Sequence, residues 1–165
     1  MTTPAQQPTS SSASRAFVDA RFIQSRMTSE AVSSLQGRPS TEPQQLQVNA
    51  NVVNHFSVAL NDPAKPGEMF VEISYSATLK VQDSDKELLS YSAKHLCHFK
   101  VVGWIGFSEW GTIPEGALGP YFSIAAALAQ RRAERTLGDM GLHGVVLPRP
   151  TNFDEYSDSK ALTAA

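Results

Sequence analysis

MFVEISYSATLKV, running from Met69 to Val81, decides how this chain is read. Val71, Ile73, Tyr75, Ala77, Leu79 and Val81 share one face, while Glu72, Ser74, Ser76, Thr78 and Lys80 share the other. Strict period-two alternation predicts a half-buried antiparallel strand. The polar turn QDSDK (Gln82–Lys86) leads into ELLSYSAKHLCHFKVV (Glu87–Val102). There Leu89, Tyr91, Ala93, His95, Cys97, Phe99 and Val101 alternate with Ser90, Ser92, Lys94, His98 and Lys100. A one-residue slip would turn the whole apolar set to water, so the register is well specified.

Upstream, Leu46–Leu60 alternates in the same way through Val48, Ala50, Val52, Phe56 and Val58. The link NDPAKPGE has turn composition, and links this short make three sequential strands an antiparallel meander. Between Arg15 and Gln36, Ala16, Ala20, Ile23, Met27, Ala31 and Leu35 fall at helical spacing, while Val18, Ala20 and Phe22 allow a short strand. The local pattern slightly favours a helix. Residues 37–45, with Pro39 and Pro43, form a linker.

An apolar sheet face needs a cover, and the Ala-rich segment Tyr121–Leu137 supplies it. This helix is expected to begin near Pro120 and to end at Gly138 or Gly141. Ile124, Ala125 and Leu128 form one apolar stripe; Phe122, Ala126, Ala129, Ala133 and Leu137 form another. Two apolar faces imply two partners. One is the sheet; the other is assigned to a second copy meeting Phe122, Ala126, Ala129 and Ala133. Before the helix, GWIGFSEWGTIPEGALGP holds five glycines and both tryptophans of the chain, Trp104 and Trp110. Side chains this large in a loop either plug the core or face a partner, and tryptophan is enriched where binding energy concentrates.

The 165 residues fit one domain, expected over residues 15–156. Residues 1–14 are Ser-, Thr-, Pro- and Gln-rich, and 157–165 are polar and small, so both ends are expected to be disordered. A net charge of −2 argues against a general grip on nucleic acid. No apolar run is long enough to span a bilayer, and no signal-peptide pattern opens the chain, so a cytoplasmic protein is expected. His95 and Cys97 share one strand face and His98 takes the other, two ligands short of a structural zinc site. No phosphate loop, nucleophile elbow or activated cysteine is legible, so the chain is read as non-enzymatic and without a cofactor.

FVEISYSATLKV (Phe70–Val81), LCHFKVVGWIGF (Leu96–Phe107), Gly141, and the arm Pro150, Asn152 and Phe153 together resemble the SecB family of protein-export chaperones, over about residues 46–155. The resemblance implies an α+β fold: a four-stranded antiparallel sheet with a long C-terminal helix packed on one face. It also implies assembly as a dimer of dimers, and it places the first strand within residues 15–36. The family's second helix after the Asn-Phe arm is shortened or lost here. Its contact to a translocase motor uses acidic residues on the outer sheet face, where this chain sets Lys80, Lys94 and Lys100 beside Glu72.

The resulting expectation is a holdase that keeps unfolded or preprotein polypeptides from aggregating, for export or for one dedicated client such as an antitoxin. Trp104, Phe107, Trp110, Ile113, Tyr121 and Phe122 are its expected client groove. The alternative is a hot-dog-like small-ligand protein or enzyme. That fold places its helix earlier and carries an acid or histidine at the helix start, and Tyr121–Leu128 has neither.

Overall fold

The alternation that opened the sequence reading is realised at the centre of the sheet. The computed structural model describes residues 17–34, 47–61, 67–82, 86–105, 115–149 and 156–158. Strands β1 (Phe17–Ser34), β2 (Val48–Leu60), β3 (Glu68–Val81) and β4 (Glu87–Ile105) precede one helix, α1 (Gly119–Asp139), and a short strand, β5 (Tyr156–Asp158). The sheet order is β1-β4-β3-β2-β5. β2, β3 and β4 are the expected antiparallel meander, with Tyr75 opposite Ala93 and Phe56 opposite Ile73. Val71, Ile73, Tyr75, Ala77 and Leu79 all lie in the core on the face toward α1. Full burial of side chains this size stabilises the fold by roughly 1.5–3 kcal/mol each.

Residues 17–34 form a strand and not the helix that local spacing favoured. The reason is visible in the register. Between Phe22 and Gln24, and again between Met27 and Ser29, β1 carries one residue with no partner on β4. These bulges shift the phase, so the face shared with the inner side of β4 reads Ala20, Phe22, Ser25, Met27, Glu30 and Val32. Spacings of two and three residues in turn blur period two and mimic a helix. A further irregularity falls between Asp19 and Ala20, leaving Val102 unpartnered and Trp104 opposite Val18.

α1 opens with Pro120 in its first turn and packs Tyr121, Phe122, Ala125, Ala126, Ala129, Ala133 and Leu137 inward against β3 and β4. Phe122 stacks on Phe56 with ring centroids 4.7 Å apart. Of the two expected end points, Gly138 lies inside the helix, and Gly141 stands just past the C-cap Met140. The Leu142 amide donates to Leu137 O and the Gly141 amide to Gly138 O, both at 2.9 Å, with Gly141 at φ +89°. This is the Schellman arrangement, which satisfies otherwise orphaned carbonyls.

Two expectations are corrected here. Phe122, Ala129 and Ala133 are 0% exposed and Ala126 is 2% exposed within a single chain. The small alanines let the helix sit close on its own sheet, so they are not available as a surface for a second copy. The second correction concerns the tail: Tyr156–Asp158 pairs in parallel with Phe56–Val58, so structure continues past the expected boundary. Residues 1–14 and 159–165 lie outside the described residues.

Candidate functional site

The site grows from the mismatch in width between one helix and a broad sheet. α1 covers β3 and β4, and β1 projects beyond it as an edge strand. Two clamps tie β1 back to the helix. Near the helix start, the Tyr121 hydroxyl donates to Val18 O at 2.5 Å and accepts the Ala20 amide at 2.9 Å. Three turns later, Glu30 accepts from Arg132 at 3.0 and 3.2 Å, from Thr136 at 2.9 Å and from Tyr91 at 3.1 Å.

Between the clamps lies an apolar strip. On β1, Phe22 is 44% and Met27 40% exposed; on α1, Ile124 is 38% exposed and Leu128 is half-buried. Helical spacing sets Ile124 and Leu128 between Tyr121 and Arg132 on the side toward β1. The floor is Phe99, which meets Phe22 edge-on at 5.6 Å and Tyr121 edge-on at 5.2 Å. Trp104, 37% exposed and opposite Val18, stands at the Tyr121 end. Exposed apolar side chains of this size gathered in one strip are the kind of patch at which proteins in general meet apolar partners.

The electrostatics are structural in character. The Arg132 hydrogen bond holds the Glu30 carboxyl below its usual range, with Thr136 and Tyr91 assisting and burial opposing. Burial pushes the Cys97 thiol up to about 11 and lowers the basicity of His95. His95 stands opposite Met27 across β1 and β4, with its Nε2 buried and unpartnered among the described residues. His95 and Cys97 share the inner face while His98 stacks on Phe70 on the other, so the three do not converge. A thiol held protonated and a desolvated imidazole are poor nucleophiles and poor general bases at neutral pH.

Of the expected groove residues, Trp104 borders the strip. Tyr121 and Phe122 belong to the core instead, at 7% and 0% exposure, because one clamps β1 and the other stacks on Phe56. Phe107, Trp110 and Ile113 lie outside the described residues, as does the arm Pro150, Asn152 and Phe153. Sequence reasoning missed Phe22, Ile124 and Leu128 as a set. The available signal was Val18-Ala20-Phe22, a strand alternation cut short by the first bulge.

An antiparallel sheet of four strands, one C-terminal helix across it and an apolar strip beside that helix define a SecB-like α+β fold. The SecB-like chaperone Rv1957 of Mycobacterium tuberculosis, solved in complex with a ChAD peptide from the Rv1956 HigA1 antitoxin, superposes with a TM-score of 0.61 at 13% sequence identity, over 79% of this chain and 90% of that one. No family model matches this chain, and no curated protein matches it by sequence. The likeness is therefore one of fold.

Proposed function

We propose that this chain is a polypeptide-binding chaperone of the holdase type, acting without enzymatic chemistry. The observation that carries the reading is the apolar strip of Phe22, Met27, Ile124 and Leu128 beside β1, the edge strand among the described residues, on a fold shared with a chaperone whose structure holds an antitoxin peptide. Extended clients suit such a surface, because alternate side chains find apolar contacts while the backbone pairs with the edge. Each buried client side chain is worth roughly 1.5–3 kcal/mol before ordering costs, so several must engage together. Presentation on a homodimer or homotetramer multiplies such contacts. Work in the cytoplasm on preproteins awaiting export, or on one dedicated client, belongs to the same proposal. Docking to a translocase motor has less support, because Arg21, Arg26, Lys94 and Lys100 crowd the outer face. No described helix is long and apolar enough to cross a membrane.

The test is suppression of aggregation of a reduced, unfolding model protein. Phe22→Ser with Met27→Ser and Ile124→Ser should weaken client holding about tenfold or more while the melting temperature moves by only a few degrees, since these sites are half-exposed. A wild-type protein that fails to delay aggregation even in molar excess removes the holdase reading.

A further inference from the structure

Arg21 and Arg26 are five residues apart, and in a regular strand they would point to opposite faces. The bulge at Ile23 brings both to the side of the sheet turned away from α1. There Arg21 lies opposite Lys100, Gln24 opposite His98, Arg26 opposite Leu96 and Ser29 opposite Lys94. Arg21, Arg26, Lys94 and Lys100 are all exposed, and among the described residues none of them forms an ion pair. The nearest carboxylates on this face stand one strand over, on β3, with Glu68 opposite Lys100 and Glu72 opposite Leu96. Glu68 lies against His98 and not Lys100, its Oε1 3.5 Å from Nε2. Four cations thus gather on two neighbouring strands of a chain whose net charge is −2. Side chains on one sheet face recur at about 6.6 Å along a strand, which puts Lys94 about 20 Å and Arg26 about 13 Å from the Arg21–Lys100 row. Between them β1 and β4 set Gln24, Leu96 and His98, with no lysine, arginine or carboxylate.

We infer that the outer face of β1 and β4 is a docking surface for an acidic polypeptide segment, lying extended along the strands with its carboxylates grouped about 13–20 Å apart. Charge sets the sign of the partner, and the row spacing sets its form. An extended chain repeats its side chains at the interval of the strands beneath it. Carboxylates about four to six residues apart therefore meet both ends of the patch, while uncharged side chains between them rest on Leu96. A nucleic acid fits less well. Single strands draw affinity from bases stacked on aromatic faces. The rings at the middle of this patch, Phe70 and His98, turn their faces on each other, with centroids 4.6 Å apart and planes 16° from parallel. Glu68 and Glu72 along the β3 margin also repel a continuous line of phosphates, whereas spaced carboxylates keep clear of them. Exposed ion pairs are individually weak and screened by salt, so binding draws on all four cations and falls steeply with ionic strength. The strip beside α1 lies on the opposite face of the sheet, so this surface stands whether or not that strip holds clients.

The experiment measures fluorescence anisotropy of labelled synthetic peptides, each of about ten residues, against the full chain at low salt. One peptide carries paired glutamates at both ends of a Ser-Val centre, and its counterpart has glutamine in their place. The acidic peptide should bind and the glutamine peptide should not. Arg26→Glu with Lys94→Glu should weaken the acidic peptide about tenfold or more, as should raising the salt to about 0.5 M. Arg131→Glu with Arg135→Glu makes the same change of net charge at exposed sites on α1 and should leave binding within about twofold. All four substituted sites are exposed, so far-UV circular dichroism and melting should hardly move. Equal losses from the two double variants, or no binding of the acidic peptide at low salt, overturn the inference. So does a single-stranded oligonucleotide or an anionic phospholipid vesicle that binds more tightly than the peptide and is lost with Arg26→Glu and Lys94→Glu, since the patch then serves phosphates.

Discussion

Glu30 on the inner face of β1 and Arg132 on α1 are joined by two hydrogen bonds, Nη2 to Oε2 at 3.0 Å and Nε to Oε1 at 3.2 Å. The pair is the far clamp of the cleft, and it makes stability depend on acid. A carboxyl whose value is lowered by folding binds fewer protons in the native state, so its contribution is present above the unfolded value of about 4.3 and is lost as pH falls through the folded value. Glu30→Gln should lower the melting temperature by a few degrees at pH 7 and by much less near about pH 3. Thermal melts of both proteins at the two pH values decide this. An equal gap at both would mean that the ion pair is not the source.

Ala129 lies against the sheet with no exposed surface, whereas Ala127, two residues earlier, faces out. Ala129→Glu must bury an unpaired carboxylate and overpack a close helix–sheet contact, with costs above roughly 3 kcal/mol. Little folded protein is expected. Ala127→Glu should fold normally, as far-UV circular dichroism and urea titration will report. Dissociation of a folded oligomer by Ala129→Glu would restore the alanine stripe as an interface.

Cys97 is fully buried with its thiol pushed up to about 11. In native buffer at pH 8, a thiol reagent should therefore label it only as fast as the protein opens, and within seconds once urea unfolds the chain. Immediate labelling of the native protein would mean that the inner sheet face is not closed.

Gly141 holds φ +89° at the helix end, with no atom within 4 Å of where a Cβ would stand. Gly141→Ala should cost about 1 kcal/mol from backbone conformation alone, and Gly141→Asn less. Denaturant midpoints at unchanged m-value measure both. A neutral Ala substitution would show that the Schellman end tightens little.

Trp104 borders the strip beside α1, and Trp110 is the chain's other tryptophan. In a Trp110→Phe background, Trp104 becomes the sole indole reporter. A bound client should shield it, moving its emission to the blue and reducing acrylamide quenching. A spectrum indifferent to saturating client would place binding elsewhere on the molecule.

The sequence was most legible where one face is simply dry and the other wet. β3 and β4 followed from alternation alone, and the end of α1 from one glycine in a left-handed conformation. β1 was obscured because bulges at Ile23 and Thr28 twice reset which residues face the helix. Local spacing cannot reveal such resets, since they exist only relative to a partner strand. The cleft was half-visible for the same reason. Trp104 and the alanine helix stood out by composition, but Phe22 and Ile124 come to flank one strip only when residues a hundred positions apart are clamped by Tyr121 and Glu30. Of the two stripes on α1, Phe122, Ala126, Ala129, Ala133 and Leu137 went to the sheet together with Ala125, because alanine lets a helix sit close, while Ile124 and Leu128 stayed at its margin.

The two sides of the sheet would also constrain how copies of this chain could join. Two β1 edges brought together by a two-fold axis use the same surface twice and stop, giving a closed pair. A β1 edge laid on another molecule's β2 edge would use different surfaces, leave a fresh edge at each end, and propagate as a filament. By seating three residues on Phe56–Val58, the tail obstructs the open-ended mode and leaves the closed one available. Three residues of tail would thus act as a chain terminator on the β2 side of the sheet.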